Sequence, residues 1–566
     1  MAASIIFYNG KIFCGDGADG YQIQSAVAVE GDYILACGPD EEILALKDAG
    51  TELVDCGGKT VLPGLSDAHC HGCMSGGMLF ACDLFNIPAE KGPDDVIAQI
   101  QQRLSRFLAD HPDVTVLRGI GFNQFDFTPE RRPTRQDLDK VCSDRPIVLE
   151  SFCQHALWTN TKAIELAGLD SHTPQPASGS FEAELDGYPS GMFHDMEGRA
   201  LIGERMPGYD FTVEEYKQVI LDYQKNAVSN YGVTLIQECK LSRNAVEAYK
   251  ELAAAGQLQM RVRAVYSIDH PEKEDELRFA IANQAADRVG DLFGINTVKY
   301  FLEGFFILLE PYTESYNTAC GNPTDYCGSL FFATETVKNS FAAAAAAGFQ
   351  IHIHAMGDRT VRQAIDCLEF AQNTTGTAHR NVIAHIMRIA EEDKPRLGKN
   401  QIVASLQPRW MEYDTEVESY ADFMGEERME RCYPNRSLSD NGAVIAYGTD
   451  YPVTPPPDPF HGIQVAMTRA VIPGTPNYEY SKGKVLGPDQ DGSADLVTLE
   501  EAVRCSSRNG AYEMFLENVT GTIAPGMSAE LVLLDRDLAA CPVEEIWNTR
   551  VLRTLFRGKT VHRAEA

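Results

Sequence analysis

The strongest constraint on the fold is a repeated alternation of short apolar segments with amphipathic helical stretches through the middle of the chain. Two of the predicted helices are ETVKNSFAAAAAAG and DRTVRQAIDCLEFAQN. The candidate strands are VLPGLSDAH, PIVLESFC, VTLIQEC, RVRAVYSI, NTVKYF, FQIHIHA, NVIAH, IVASLQP and AVIAYGTD. Repeated strand–helix units favour a parallel sheet, and this many favour a closed barrel over an open sheet. We therefore predict an α/β fold built on a (β/α)8 TIM barrel.

Both ends of the chain have the pattern of β structure. IIFYNGKIF and SAVAVEGDYILACG near the start, and AELVLLDRD and VLRTLFRGKTVHR near the end, are rich in β-branched and aromatic residues separated by turn signals. The simplest account is one small β-sandwich domain formed by both termini. We assign residues 1–62 and 506–566 to the sandwich and residues 63–505 to the barrel.

The segment at about residues 73–231 is too long to be a single strand–helix connection. It has apolar and helical patterns of its own. We therefore predict an insertion after the first barrel strand.

The charge balance excludes some classes of function. Lys plus Arg number 49 and Asp plus Glu number 81, which gives a formal net charge of -32. Nucleic acids and anionic membrane surfaces both select basic proteins, so we expect neither as a partner. No apolar run approaches the roughly 18 residues of a membrane span, and the N-terminus lacks the pattern of a signal peptide. With 15 scattered cysteines, the composition favours a reduced, cytoplasmic protein.

Polar residues stand near the ends of five of the candidate strands. His69 and His71 end the first, and Lys299 lies in NTVKYF. His354, His385 and Asp450 follow in FQIHIHA, NVIAH and AVIAYGTD. In a TIM barrel the strand ends hold the active site. Imidazole and carboxylate groups suit zinc and similar divalent metals, so this set could hold two cations.

Each of these residues also has an ordinary structural interpretation. A single histidine such as His385 is more often hydrogen-bonded within a core than bound to a metal. His352 alternates with His354 on one strand, so either or both could face inward. An ammonium group cannot bind a metal, and Lys299 would do so only as a carbamate formed with carbon dioxide. Together, in this order, the residues make a metal site the better interpretation.

Several motifs resemble the amidohydrolase superfamily, and in particular its amidohydrolase family 3 branch, which includes the N-substituted formamide deformylases. PGLSDAHCH is similar to the PGxxDxHxH signature of the superfamily. Further matches occur in family order over nearly the whole chain, and they include QHALWTNTKAIELAGL, IHIHAMGDRTVRQAID, YGTDYPVTPPPDPFHGIQVAMTR and GTIAPGMSAELVLLDRD. The resemblance implies a hydrolase acting on carbon–nitrogen bonds other than peptide bonds.

The resemblance also implies a role for each site residue. His69 and His71 would bind one metal, His354 and His385 a second, and carboxylated Lys299 would bridge the two. Asp450 would be both a ligand and the proton shuttle. His155 aligns with a substrate-facing histidine, and His352 would be structural. The cofactor would be a divalent metal, which we take to be zinc, with one or two ions per chain. The sequence leaves open whether the protein forms a homodimer.

The sequence departs from the family pattern at three positions near these residues. Glu303 replaces the usual aspartate after the lysine strand, Ala384 replaces a glutamate before His385, and Cys70 separates the first two histidines. None of these changes removes a ligand. Residues that hydrogen-bond to a metal ligand orient it. Because Ala384 has no polar side chain, another residue would have to orient His385.

The resulting hypothesis is hydrolysis of an amide-type bond in a small molecule by a metal-bound hydroxide. Asp450 would take the proton from the water and pass it to the leaving amine. The alternatives are a deaminase or cyclic-amide hydrolase using the same site, an isomerase or lyase on the same barrel, and a non-catalytic amidohydrolase-like scaffold protein.

Overall fold

The computed structural model describes residues 2–15, 17, 20–128, 130–152, 155–176, 179–304, 306–475, 478–487 and 495–565. The chain divides into two compact units. The first unit contains Met1–Gly72, Leu221–Leu241 and Tyr249–Ala566, and the second contains Cys73–Ile220 and Ser242–Ala248.

Eight parallel strands of the first unit form the predicted barrel. In chain order they are β1 (Leu65–Cys70), β2 (Val233–Glu238), β3 (Arg261–Ser267), β4 (Phe293–Phe301), β5 (Gln350–Ala355), β6 (Val382–His385), β7 (Val403–Leu406) and β8 (Val444–Tyr447). Each strand from β2 to β8 pairs in parallel with the one before it. The nearly closed sheet confirms the TIM-barrel prediction.

The barrel closes where the chain beyond β8 meets β1. The backbone N–H of Asp450 donates to the carbonyl of His69 at 2.7 Å, and that of His71 donates to the carbonyl of Tyr451 at 2.7 Å. A Cβ atom at Gly448 would lie 2.5 Å from the backbone nitrogen of His69. Only glycine allows this close approach of the two chain segments.

Helices follow the barrel strands, and their patterns explain why they form. The longest, Asp358–Thr375, buries Val361, Ala364, Ile365 and Leu368, whose spacing places them on one face. It ends at Gly376, whose φ of 71° is the left-handed conformation that favours glycine. Other helices of this unit include Asp40–Leu44, Asp275–Asn283, Glu314–Ala319, Thr334–Ala346, Lys394–Lys399, Thr415–Met424, Glu426–Glu430, Arg436–Asp440, Pro459–Thr468, Tyr478–Ser481, Leu499–Cys505 and Arg508–Glu513.

The first unit has two further sheets, one built from N-terminal strands alone and one built from both ends of the chain, as predicted. The first sheet has the strand order Tyr33–Gly38, Ala26–Glu30, Ile5–Tyr8 and Glu52–Asp55. The second has the order Lys559–Arg563, Val551–Phe556, Leu531–Leu534, Thr60–Pro63, Lys11–Cys14 and Gln22–Gln24. Side chains from both termini share one apolar core, which includes Phe7, Val29, Ile523 and Leu531.

The segment VLPGLSDAH is two strands, so the prediction of a single strand was wrong. Thr60–Pro63 pairs with Leu531–Leu534 in a terminal sheet, whereas Leu65–Cys70 is barrel strand β1. Gly64 lies between them, and a Cβ atom there would lie 2.2 Å from Oγ1 of Thr234. The chain passes from one sheet to the other at a position where no side chain fits, and an apolar run alone does not reveal such a break.

Contacts with the barrel strands continue beyond residue 505. Helix Arg508–Glu513 contacts the barrel, since a Cβ atom at Gly510 would lie 2.1 Å from Oγ of Ser66 in β1. The Nε2 group of Gln350 in β5 donates to the backbone carbonyl of Glu513 at 2.9 Å. The first strand of the terminal sheets after this helix is Leu531–Leu534.

The second unit has a sheet and core of its own. The strand order of its sheet is Ser180–Ala183, Pro189–His194, Ala156–Thr159, Ile147–Ser151, Leu117–Phe122 and Cys82–Asp83. Its helices include Gly76–Phe80, Pro93–Asp110, Arg135–Asp139, Thr161–Leu166 and Asp195–Gly203. Trp158 is fully buried, and its indole N–H donates to the carbonyl of Thr134 at 2.9 Å. Strand Ile147–Ser151, which lies within the candidate segment PIVLESFC, belongs to this sheet and not to the barrel.

None of the helices in the described part of the chain is both long enough and apolar enough to cross a bilayer. The cysteines at described positions are free thiols, and most of them are buried.

Candidate metal centre

Three predicted ligands meet where β1 and the segment after β8 come together. Nε2 of His71 lies 3.1 Å from Oδ1 of Asp450, and Nε2 of His69 lies 3.4 Å from the same oxygen. All three side chains are buried. One donor atom from each lies within 4.8 Å of the other two, a spacing that suits one cation. Asp450 has a φ of 58°, a left-handed backbone conformation that is uncommon for residues other than glycine.

His354 and His385 form a second pair at the ends of β5 and β6. Their ring centroids are 4.6 Å apart, and the ring of His385 lies 4.9 Å from that of His69. Oε1 of Gln407 lies 2.7 Å from Nδ1 of His385, and Trp410 stacks on the same ring at 5.1 Å. His385 also has a left-handed backbone, with a φ of 78°. Its side chain is therefore fixed by the backbone, a hydrogen bond and an aromatic face.

Lys299 extends from the interior of β4 and is fully buried. Its Nζ atom has no hydrogen-bond partner among the described residues and lies 5.1 Å from the centre of the Phe301 ring. Burial lowers the pKa of Lys299 to about 8, against the opposing charges of Cys239, Asp450 and Glu513. A buried ammonium without a partner is costly, so this amine is suited to neutralisation or modification.

Burial lowers the pKa of three imidazoles of this cluster, those of His69, His354 and His385, and so favours their neutral form. It lowers the pKa of His385 to about 3, and it holds the pKa values of His69 and His354 well below the ordinary histidine range. The nearby charge of Lys299 acts in the same direction on all three. A neutral imidazole is the form that binds a metal.

Three buried residues that were not predicted as site residues also lie here. His352 contacts His69, with Nε2 of the former 3.0 Å from Nδ1 of the latter. Glu513 lies behind His352, with 4.0 Å between Oε1 and the other ring nitrogen. Cys239, directly after β2, can offer its sulfur together with His69 and His352. Cys239 ends the apolar segment VTLIQEC, so its position at a strand end was a signal in the sequence. Glu513 follows no strand and had no such signal.

Two buried carboxyl groups stabilise the segments next to the candidate ligands. Oδ1 of Asp67 accepts from the backbone N–H of Thr449 at 2.9 Å, and its Oδ2 accepts from the hydroxyl of Thr449 at 2.5 Å. Glu303 accepts from the backbone N–H groups of Met356, Gly357 and Ile307 and from the hydroxyl of Thr360. Burial nevertheless raises the pKa of Asp67 and of Glu303 to about 7. Glu303, which departs from the family pattern, fixes the start of the helix after β5.

His155 belongs to the second unit. It is about half exposed, and its Nδ1 atom lies 3.0 Å from Oδ1 of Asp195. The same hydrogen bond is the main cause that lowers the pKa of Asp195. The backbone N–H of Asp195 also donates to the carbonyl of His155 at 2.8 Å. Asp195 therefore holds the ring through Nδ1, and Nε2 takes no part in that contact.

The aromatic residues of the segment EGFFILLEPYTESYN after β4, together with Trp410, are candidates by sequence for lining an apolar pocket. Most of them pack against helix Thr415–Met424 instead. Phe306 lies 5.2 Å from both Tyr420 and Phe423, and Tyr312 and Tyr316 each lie 5.9 Å from Phe423. Phe305 lies outside the described residues. Trp410 is the exception, because it stacks on the candidate ligand His385.

The donor set fits a divalent metal. Oδ1 of Asp450 and Nζ of Lys299 are buried and have no hydrogen-bond partner in the described structure. Such groups are costly in a core, and together with the imidazoles they are the groups that a cation would satisfy. The left-handed backbone at His385 and Asp450 adds strain at the same place. A barrel with such a cluster at its strand ends has the architecture of a metal-dependent enzyme.

Comparison with known proteins identifies the family to which the chain belongs. The profile of the Amidohydrolase family matches residues 52–562. The chain therefore belongs to the amidohydrolase family, which confirms the predicted class of enzyme, a hydrolase acting on carbon–nitrogen bonds other than peptide bonds.

Individual relatives cover nearly the whole chain. An N-substituted formamide deformylase of Arthrobacter pascens is 25% identical over 541 residues, which are 94% of each chain. The putative amidohydrolase YtcJ of Bacillus subtilis is 25% identical over 546 residues, covering 95% of this chain and 96% of its own. The crystal structure of an uncharacterized metal-dependent hydrolase from Pyrococcus furiosus superposes with a TM-score of 0.69 at 25% identity, over 93% of this chain and 98% of that one.

Proposed function

We propose that this enzyme hydrolyses the carbon–nitrogen bond of a small amide-type molecule with the help of a divalent metal, zinc by the chemistry of the donors. The observation that carries the proposal is the position of Asp450, whose Oδ1 atom lies within 3.4 Å of the Nε2 atoms of both His69 and His71. A carboxylate in that position can help to hold a cation and can exchange a proton with a water beside it.

The residues that would hold the metal are His69, His71, His354, His385, Lys299 and Asp450. When bound, the metal would lower the pKa of a water molecule and polarise the substrate carbonyl. One or two ions per chain are compatible with the two histidine pairs. Lys299 would contribute as a carbamate, for which its lowered pKa is favourable because carbon dioxide reacts with the neutral amine.

Asp450 would take the proton from the attacking water and later donate it to the leaving amine. Its Oδ1 atom has no hydrogen bond within the described structure, so it is available to a water. Its left-handed backbone, held by the N–H bond to the carbonyl of His69, fixes the carboxylate against the histidines. The same group can therefore serve as base and then as acid in one turnover.

An N-substituted formamide is the substrate we would test first. The support is the relative from Arthrobacter pascens named for that activity, which is similar over 94% of both chains. In this reading His155, held by Asp195, would contact the substrate oxygen as negative charge develops there. The indole of Trp410 would offer an apolar face beside His385.

The decisive experiment compares metal content and turnover in Asp450→Asn. Asparagine keeps the size and an oxygen donor but cannot accept the proton. We expect metal content near that of the unchanged protein and a decrease in kcat of about 10²–10⁴-fold on N-substituted formamides. Unchanged kcat would reject the role of Asp450.

A matched control is Asp458→Asn in the same loop after β8. Asp458 is an N-cap whose Oδ1 accepts from the backbone N–H of Phe460 at 2.9 Å. Asparagine is an equally good N-cap, so activity should be retained. The substrate panel should include cyclic amides and aminated heterocycles, because activity confined to those would favour the deaminase or cyclic-amide alternative. Unchanged protein that binds no added zinc or manganese in the presence of bicarbonate would overturn the proposal.

A further inference from the structure

The two ring nitrogens of His69 face different partners. Nε2 lies 3.4 Å from Oδ1 of Asp450, on the side of the candidate metal. Nδ1 lies 3.0 Å from Nε2 of His352, on the opposite side of the ring. A contact of 3.0 Å between two imidazole nitrogens is a hydrogen bond, so one ring must donate and the other must accept.

The direction of this hydrogen bond decides whether His69 can be a ligand. If Nδ1 of His69 donates, its Nε2 atom has a free lone pair directed toward Asp450. If His352 donates instead, a neutral His69 has its proton on Nε2 and cannot bind a metal there. Ligation by His69 therefore requires Nε2 of His352 to be an acceptor, and the proton of a neutral His352 must then be on Nδ1.

Glu513 is the group that faces Nδ1 of His352. Its Oε1 atom lies 4.0 Å from that nitrogen, and both residues are fully buried. Neither carboxyl oxygen of Glu513, nor Nδ1 of His352, has a hydrogen-bond partner among the described residues. The backbone of Glu513 is fixed to β5 by the 2.9 Å bond from Gln350, on the strand that contains His352.

We propose that Glu513 and His352 form a relay that holds His69 in the tautomer and orientation needed to bind the metal. Both are positioning residues, since they act through His69 and not on the substrate. The inference rests on the proposed function, because it gives His69 its role as a ligand. It assigns a role to His352, which the family resemblance left as structural, and to a residue of the helix that follows the barrel.

Metal affinity is the first test, measured by competition with a chromogenic chelator. His352→Leu removes the acceptor, and Glu513→Leu removes the group that places the proton on His352. Each should weaken zinc binding by about 10–100-fold, the usual effect of removing an outer partner. His352→Gln offers an amide oxygen near the position of Nε2 and should retain affinity within about 3-fold. Equal losses in the Gln and Leu variants would overturn the relay.

Asp287→Leu is the matched control for Glu513→Leu. Asp287 is also a fully buried carboxylate of the first unit, bound to Lys250 at 3.1 Å and to the hydroxyl of Tyr266 at 2.6 Å. Its loss should affect stability and leave zinc affinity unchanged. An equal loss of affinity in this variant would assign the effect to general destabilisation and would reject the specific role of Glu513.

The second test measures the tautomer of His69 in the unchanged, metal-free protein. It therefore does not depend on metal binding by a variant. Selective ¹⁵N labelling of histidine, with His69→Gln to assign the resonance, distinguishes a protonated Nδ1 from a protonated Nε2. We expect the proton on Nδ1. A proton on Nε2 would overturn the relay even if the protein binds zinc. Failure of the unchanged protein to bind metal would reject the proposed function while the tautomer still decides the relay.

One competing arrangement also predicts an effect of His352 on metal binding. His69, Cys239 and His352 could together surround a cation, since their donor atoms lie within 4.8 Å of one another. A cobalt-substituted protein would then show a thiolate charge-transfer band that Cys239→Ser removes. We expect no such band, and its presence would overturn the relay by making His352 a ligand.

Discussion

Nδ1 of His385 lies 2.7 Å from the side-chain oxygen of Gln407, across the neighbouring ends of β6 and β7. An amide oxygen can only accept a hydrogen bond, so the imidazole must donate from Nδ1. Nε2 is then left with its lone pair, which is the form that a metal requires. Gln407 therefore supports His385, although the family pattern places a glutamate at the position of Ala384.

Replacing Gln407 tests this support. Gln407→Leu removes the acceptor and should weaken zinc binding by about 10–100-fold, whereas Gln407→Glu keeps an acceptor and should bind zinc nearly as well as the unchanged protein. Gln464→Leu is a suitable control, because Gln464 is also buried but accepts from the backbone N–H of Trp547. Equal affinities in all three variants would show that Gln407 does not orient His385.

Lys299 should become a carbamate when metal and bicarbonate are present. Burial lowers its pKa to about 8, so a substantial fraction of the amine is neutral near physiological pH and can react with carbon dioxide. We expect a carbamate resonance in protein equilibrated with ¹³C-bicarbonate and zinc, and its loss in Lys299→Met together with most of the bound metal. Lys240→Met is the control, since that exposed amine lies 5.9 Å from the same Phe301 ring. A resonance that persists in Lys299→Met would exclude this site of modification.

The buried histidines should make the metal-free protein sensitive to acid. The pKa of His385 is about 3 in the folded protein, below the ordinary value near 6.5, so between these values the unfolded state binds more protons. The free energy of unfolding should therefore fall as the pH falls from about 6.5 toward 3, by at most about 1.4 kcal/mol per pH unit for this residue.

Denaturant unfolding at two pH values within that window gives the measurement. His385→Gln removes one of the groups that must stay neutral, so its free energy of unfolding should decrease less steeply with acid than that of the unchanged protein. His69 and His354, whose pKa values are also lowered, keep the remaining slope. Parallel pH dependences in the two proteins would show that His385 is not the acid-sensitive group.

The fold was predictable because its signals are local. Each barrel strand is a short apolar run, and helix Asp358–Thr375 has apolar residues at helical spacing. His69 and His385 could be proposed as ligands because they stand at strand ends, where parallel strands of a barrel present their side chains to one face. The break at Gly64 was missed because its cause, the close approach of Thr234, comes from a distant part of the sequence.

The supporting residues could not be predicted for the same reason. Gln407 is hydrogen-bonded to the candidate ligand His385, and Glu513 lies 4.0 Å from His352. Both relationships depend on distances between side chains that are far apart in sequence. Glu303 looked like a departure from the family pattern, yet the structure gives it four hydrogen-bond donors. A sequence pattern identifies groups that could bind a metal, whereas the groups that orient them emerge only from the packing.

His155 offers a test of the expected substrate contact that the metal measurements do not address. Asp195 holds the imidazole through the 3.0 Å contact with Nδ1, which leaves Nε2 as the nitrogen available to a substrate oxygen. His155→Ala should lower kcat/KM on N-substituted formamides by about 10²–10³-fold if this nitrogen stabilises developing negative charge, with metal content unchanged.

His172→Ala is the matched control for that experiment. His172 is an exposed histidine of the same unit, and its Nδ1 atom lies 3.9 Å from Oδ1 of Asp170. Because it has no expected role in the reaction, its replacement should leave kcat/KM unchanged. Asp195→Asn should have an intermediate effect, since the amide keeps an oxygen acceptor for Nδ1 but loses the charge that orients the ring. Full activity in His155→Ala would remove this residue from the reaction and leave Asp450 and the metal ligands as the residues proposed to act in it.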